Sequence, residues 1–284
     1  MQRRLFLGLL LLPLLLLAGM SRATDQPPPL RIGMTPAFLH DQYALLAVWR
    51  DYLQQNMKRP VEFVQRDSYR ETMDLLQQRK LDFAWVCDYP YVLMGAQVKL
   101  LAVPVNQGKP IYRSYLIVPA KDTRTHSIED LKGAVFAYAD PLSNTGYLAP
   151  RFDIKQAGFD PATFFRRTFF TWSHRKAINA VASGLAQGAA VDSYVWESLA
   201  KVSPALTAKT RVVKQSEAFG FPPFVANRSV SQADFDLMRA ALLDMSKNPA
   251  GKALLAKLNL DGFVVGSPDL YKSVANMAVT VGHP

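Results

Sequence analysis

Over most of this chain, short apolar segments alternate with amphipathic helical ones, and that alternation limits the fold more than any other feature. Residues 30–34 form a brief apolar run. After it, Leu45, Val48, Trp49 and Tyr52 recur at i, i+3, i+4 and i+7, the spacing of one helix face. Residues 61–64 alternate and are rich in β-branched and aromatic types, as a strand is. Ser68 and Glu71 then have capping-box spacing and should start a helix that buries Met73 and Leu76. Segments 81–87, 99–105 and 112–119 read as further strands. A second set follows: strands at 134–139, 168–172 and 188–192, and helices from Ser143 to Gly158, from His174 to Ser183 and from Val195 to Ala200. After Phe224 the pattern becomes helical, with Phe235, Met238, Leu242 and Met245 on one stripe behind a Ser231 cap.

Strand–helix alternation predicts mainly parallel sheets with both faces covered. Two sets of about 100 residues each predict two α/β lobes rather than one large core. The expected division is a first lobe from 24–118 and 225–284, a second lobe from 119–224, and a hinge where the chain crosses near Pro119 and Pro223.

The N-terminus reads as an address. Arg3 and Arg4 precede a leucine-rich run, and Ser21 and Ala23 supply small residues for cleavage, so residues 1–23 form an expected secretory signal peptide. A membrane anchor fits less well, because the run is short and holds Pro13. The expected location is the periplasm. Cys87, the single cysteine, excludes an internal disulfide and should be buried. The chain carries a formal charge of +10 and stays basic without the leader's three arginines. A basic surface gathers anions. There is no basic run or nucleic-acid motif, so nucleic acid is not an expected partner. Four histidines and one cysteine, none close in sequence, give no metal-ligand spacing. No cofactor is expected.

Ligands of open α/β sheets bind beyond the carboxyl ends of the strands. The segment from Ala139 to Tyr147 leaves a strand, turns at Asp140-Pro141 and begins a helix with Ser143, Asn144, Thr145 and Gly146. Main-chain N–H groups of a first helical turn lack helical partners, and the dipole there favours negative charge. Ser143 and Thr145 add hydroxyls, and Gly146 is expected to let a ligand come close. Spacing alone leaves open whether this is an anion site or an ordinary Ser143 cap. His174, at the start of another helix, could donate to an anion or simply cap. Asp88, just after the 81–87 strand, could face a cleft or cap the next helix. In a cleft it would repel a fully ionised oxyanion and accept a hydrogen bond from a protonated one.

Several of these segments together resemble the periplasmic phosphonate-binding proteins of ABC importers, which include phosphite and hypophosphite binders. The most specific stretch, from Asp140 to Pro150, is similar to the family's D-P-x-S-T-S-G-[FY]-L-x-P, with Asn144 in the middle of the grip. Tyr69 with Ala84-Trp85, the run from Tyr112 to Val118, and His174 with Ala180-Val181 and Ala190-Val191-Asp192-Ser193 resemble other family blocks in the same order. The resemblance implies a venus-flytrap fold and a ligand site of Tyr69, Tyr112, Ser143, Asn144, Thr145 and His174, with Asp192 and Tyr194 near it. It implies a small oxyanion ligand, an ABC permease as membrane partner, and no catalysis. A monomer is expected. A sensor subunit for a histidine kinase would need the same fold, and a phosphate-ester hydrolase using His174 with Asp192 or Ser143 is the enzymatic alternative. Aminoethylphosphonate binders of this family hold the ligand amine with two carboxylates. Here Tyr194 stands at the first position, and Phe221, Pro222 and Pro223 lie near the second. That predicts a smaller or more apolar ligand.

Overall fold

The computed structural model describes residues 27–36 and 42–282. The expected leader, 1–23, lies outside the described residues. In chain order the strands are β1 (Leu30–Met34), β2 (Val61–Gln65), β3 (Phe83–Trp85), β4 (Val98–Val105), β5 (Ile111–Tyr112), β6 (Ser114–Pro119), β7 (Val135–Tyr138), β8 (Arg167–Phe170), β9 (Gly188–Asp192), β10 (Thr210–Gln215), β11 (Phe219–Gly220), β12 (Phe224–Asn227) and β13 (Gly262–Val264).

They form two α/β lobes. One sheet has the order β13-β4-β12-β3-β1-β2, the other β10-β6-β9-β7-β8, and β5 pairs with β11 in a two-stranded ribbon. β1 lies parallel to both β2 and β3, and β7 lies parallel to both β8 and β9. These centres are βαβ units, and central strands such as β3 and β9 are buried throughout because helices cover both faces. Around them the sheets are mixed rather than mainly parallel. β12 is antiparallel to β3 and β4, and β6 is antiparallel to β9 and β10. The added strands arrive after the chain has crossed between lobes, so they enter from the opposite end.

The first crossing also lies earlier than expected. Residues 112–119 do not make one strand: Tyr112 belongs to the ribbon, and Ser114 begins β6 in the second sheet. The change falls at Arg113, whose main-chain N–H donates to Ser193 Oγ at 3.0 Å. A continuous apolar alternation cannot record a change of sheet at one polar residue. Phe224–Asn227, which the sequence pattern leaves unassigned, is a fully buried strand. The helix Gln232–Leu243 follows it behind the expected Ser231 cap. The last helix, Lys272–Val281, packs against Asp88–Met94 and against Ala149–Gln156, so the tail touches elements of both lobes and does not simply return to the first.

The first lobe centres on an aromatic cluster. Trp49 meets Trp85 edge-on at 6.0 Å, and Trp85 stacks on Phe224 at 5.9 Å. In the second, Phe136 stacks on Phe165 at 4.3 Å. The Ser68 capping box is formed in full and starts Tyr69–Gln77, which buries Tyr69, Met73 and Leu76. Tyr69 is thereby held at the lobe boundary, at the first position of that helix. Among the described residues, no helix is long and apolar enough to cross a membrane.

Candidate functional site

β7 ends at Tyr138, and the chain turns through Asp140 and Pro141. Asp140 Oδ1 accepts the Leu142 N–H at 2.8 Å, and Ser143 Oγ accepts the Gly146 N–H at 3.0 Å. The helix does not begin as a regular α-helix. Asn144–Leu148 is a π turn, with the Leu148 N–H reaching Ser143 O at 3.0 Å, and Ala149–Gln156 continues as α-helix. π turns widen a helix locally and recur at functional sites. Ser143, Asn144 and Thr145 are fully buried, and Ser114 Oγ pins the turn by donating to Thr145 O at 2.7 Å.

The first lobe meets this turn directly. Tyr69 Oη lies 3.4 Å from His174 Nε2, and Ser143 Oγ lies 3.3 Å from the same nitrogen. Tyr112 Oη donates to Asp88 Oδ1 at 2.7 Å, and Asn144 Nδ2 donates to Asp88 Oδ2 at 2.8 Å. The Tyr69 main-chain N–H donates to Asp140 Oδ2 at 3.1 Å. The lobes are thus closed on one another, and their contact surface is polar. Asn144 Oδ1 and Thr145 Oγ1 are buried there with no hydrogen-bond partner among the described residues. Such orphaned polar atoms are uncommon in native interiors and call for an explanation.

His174 has a defined role in this network. Its Nδ1 accepts the Asp192 main-chain N–H at 3.1 Å. In a neutral imidazole the other nitrogen then carries the hydrogen, so Nε2–H points toward Tyr69 and Ser143. Burial lowers the His174 pKa to about 3, which keeps the ring neutral. Burial likewise pushes the Tyr69 and Tyr112 phenols well above their ordinary range, so both keep their hydrogens. The site therefore offers neutral donors: two phenols, one imidazole, two hydroxyls and an amide.

The carboxylates behave differently. Asp88 sits at the start of the helix Asp88–Met94, but the cap position is Cys87 and makes no side-chain cap bond. The Asp88 carboxylate accepts from the Tyr89 main-chain N–H of its own helix at 3.0 Å and also from Tyr112 and Asn144. Burial raises its pKa to about 6, against the opposing pull of hydrogen bonds from Tyr112, Cys87, Asn144 and Tyr89. Asp192 caps the helix Ser193–Val202, accepting the Val195 N–H at 3.2 Å, and burial raises its pKa to about 8.

Seven of the nine residues named from sequence (Tyr69, Asp88, Tyr112, Ser143, Asn144, Thr145 and His174) thus meet in this buried interface, and Asp192 reaches it through its main chain. Tyr194 stands apart: its hydroxyl donates to Leu258 O, and its ring packs at 5.2 Å on Phe221. Beyond it, a groove of about 670 Å³ runs between Leu45, Val48, Leu199 and Leu258, outside the polar network. Gly146 serves a different purpose from the one expected. A Cβ there would stand 2.5 Å from Ala139 Cβ and 2.9 Å from His174 Cε1, so the glycine admits protein, not ligand. Sequence reasoning missed two members. Asp140 ties the turn to Tyr69. Cys87, read only as a buried thiol, lies 3.1 Å from Asp88 Oδ1 and 3.9 Å from Tyr112 Oη. Its place directly before Asp88, at a strand's carboxyl end, was the available signal.

The family model described as "ABC transporter, phosphonate, periplasmic substrate-binding protein" matches residues 32–271. The chain belongs to that family. This periplasmic binding protein is 24% identical over 258 residues to the phosphonates-binding periplasmic protein of Escherichia coli, covering 87% of this chain and 75% of the relative. Its fold is similar to that of a binding-protein component of a phosphonate ABC transporter from Pseudomonas aeruginosa, with a TM-score of 0.82, 23% identity, and coverage of 90% and 87% of the two chains. It is also similar to PhnD1 of Prochlorococcus marinus in complex with methylphosphonate, with a TM-score of 0.80, 19% identity, and coverage of 89% and 97%.

Proposed function

We propose that this periplasmic binding protein captures a small phosphorus oxyanion (phosphate, phosphite or a short phosphonate) between its lobes, delivers it unchanged to an ABC permease, and acts as a monomer. One observation carries the reading. The buried lobe boundary gathers Tyr69, Tyr112, Ser143, Asn144, Thr145 and His174, and most of these are hydrogen donors whose heads converge from both lobes. A tetrahedral oxyanion bridging these groups would use donors from both sides at once. Each bond from a neutral donor to an anion contributes roughly 1.5–3 kcal/mol. Such a ligand favours closure only by binding the closed state more tightly than the open one. The donor heads are buried, so the lobes must part before a ligand can reach them. Ligand-free protein therefore exchanges between closed and open forms, and the ligand takes over the contacts between Asp88, Asn144 and Tyr112.

The geometry speaks against turnover. The Asp192 carboxylate caps its own helix, and only its main chain meets His174, so the two do not form an acid–histidine pair. At the two positions where an amine-holding carboxylate would stand, Tyr194 and Phe221 are aromatic and pack on one another, which disfavours a cationic tail. The test is titration calorimetry of the mature chain with phosphate, phosphite, methylphosphonate, aminoethylphosphonate and sulfate. Binding of at least one of the first three, with no hydrolysis of nitrophenyl phosphate, is the expected result. Failure of all three to bind would overturn the reading.

A further inference from the structure

Among the described residues, no lysine or arginine hydrogen-bonds to the polar side chains of the proposed anion site; Arg70 acts only through space on Asp140. The polar side chains of the site are phenols, hydroxyls, an amide, a neutral imidazole and carboxylates. Asp88 lies inside the network, fully buried, with one oxygen on Tyr112 and the other on Asn144. A dianion with no hydrogen of its own would stand against this carboxylate, and among the described residues no lysine or arginine is bonded to Asp88 to offset the repulsion. An oxyanion carrying an O–H would instead donate it to Asp88 and turn the repulsive contact into a charge-assisted hydrogen bond.

We infer that Asp88 reads the protonation state of the ligand: it accepts the hydrogen of a P–OH group, so the site takes hydrogen-bearing phosphorus oxyanions and rejects sulfate. This rests on the anion-binding reading above and adds the selecting group to it. Asn144 and Tyr112 hold the carboxylate in place, and each can pass its donor to a ligand oxygen as the ligand takes its place beside Asp88. Among the described residues, the other titratable groups facing Asp88 are Cys87 on its own segment, Tyr112 on β5, Asp192 at the end of β9, and Tyr271. Burial raises the thiol and both phenols, so they stay protonated at neutral pH. Asp192 is the one other carboxylate in this set, and its own helix cap engages it.

The experiment compares phosphate and sulfate by calorimetry on wild type and Asp88→Asn between pH 5 and 8. A site that must be offered a hydrogen discriminates strongly against a ligand without one, so wild type should prefer phosphate by about a hundred-fold or more at pH 7.5. Sulfate does not titrate in this range. Its affinity for wild type should rise by up to about tenfold per pH unit as Asp88 gains a proton near pH 6 and below. Asp88→Asn, which can donate from its amide, should bind sulfate better, cut the phosphate preference by about tenfold or more, and flatten the pH slope. An unchanged preference in the variant, or a flat sulfate slope in wild type, would overturn the inference. If Asp88→Asn fails to fold, the wild-type slope decides alone. Absence of binding by phosphate, phosphite and methylphosphonate alike would instead overturn the parent reading, and this one with it.

Discussion

Replacing Gly146 with alanine sets two known effects against each other. In a helix, glycine to alanine ordinarily stabilises by about 0.5–1 kcal/mol, because alanine has less backbone freedom to lose. Here the new Cβ would lie 2.5 Å from Ala139 Cβ, 2.9 Å from His174 Cε1 and 3.0 Å from Ser143 Oγ. The Ala139 methyl cannot rotate away, and the Ala139 N–H is tied to Gly146 O at 3.2 Å. The strand end and the helix start must therefore separate. Overpacking of this kind costs about 1–3 kcal/mol, which outweighs the propensity gain. With central values of about 2 kcal/mol for the cost and about 0.75 kcal/mol for the gain, the net loss is about 1.25 kcal/mol, and at about 2–4 °C per kcal/mol for domains of this size a fall of roughly 2.5–5 °C is expected. The same displacement moves His174 Nε2 and Ser143 Oγ, now 3.3 Å apart. Losing one such donor to an anion costs about 1.5–3 kcal/mol, or roughly ten- to 150-fold in affinity. Differential scanning fluorimetry and calorimetry with phosphate measure the two effects separately. A midpoint within about 1 °C of wild type, with oxyanion affinity unchanged, would refute the packing argument and the donor role together.

Thr145→Val should weaken every oxyanion by a similar factor of roughly ten, without re-ranking them, because the hydroxyl meets the oxygens and not the tail; calorimetry across the ligand panel checks it. Aminoethylphosphonate should bind at least about a hundred-fold more weakly than methylphosphonate, since Asp88 is held by Tyr112 and Asn144 and Asp192 by its own helix cap, which leaves no free carboxylate pair for the amine; equal affinities would contradict this. His174 has a pKa lowered to about 3, so the folded state binds fewer protons there than the unfolded chain, and stability should fall as pH drops from about 6.5 toward 3. His174→Gln should flatten that acid limb in urea titrations. Cys87 is buried beside the lobe contact and its thiol pKa is raised, so alkylation should be slow. Saturating phosphate should slow it further by holding the lobes shut, whereas a rate indifferent to ligand would mean that closure is not coupled to binding.

The strand–helix alternation was legible because periods of two and 3.6 are written in local apolar spacing. So was the Ser68 capping box, whose partners are three residues apart. The turn at Ser143 was legible as a motif, and its conformation was not. A π turn leaves no distinct pattern in Ser143-Asn144-Thr145-Gly146, and the packing reason for Gly146 depends on Ala139 and His174, which sequence places elsewhere. β12 was missed because Phe224-Val225-Ala226-Asn227 is uniformly apolar up to its last residue, and a fully buried strand has no alternation to show. The split at Arg113 was missed for a related reason: strand periodicity says that a segment is extended, not which sheet receives it.

The sequence by itself determined most of the strand–helix alternation, the residue types at the strand ends and the Ser68 and Ser231 caps, because these depend on neighbours within a few positions. Tertiary structure decided the rest. Closure of two lobes put Asp88 on Asn144 across 56 residues, and the Asp192 main chain chose which His174 nitrogen faces inward. A carboxylate's role and an imidazole's tautomer are set by what lies within about 3 Å, and long-range folding supplies that.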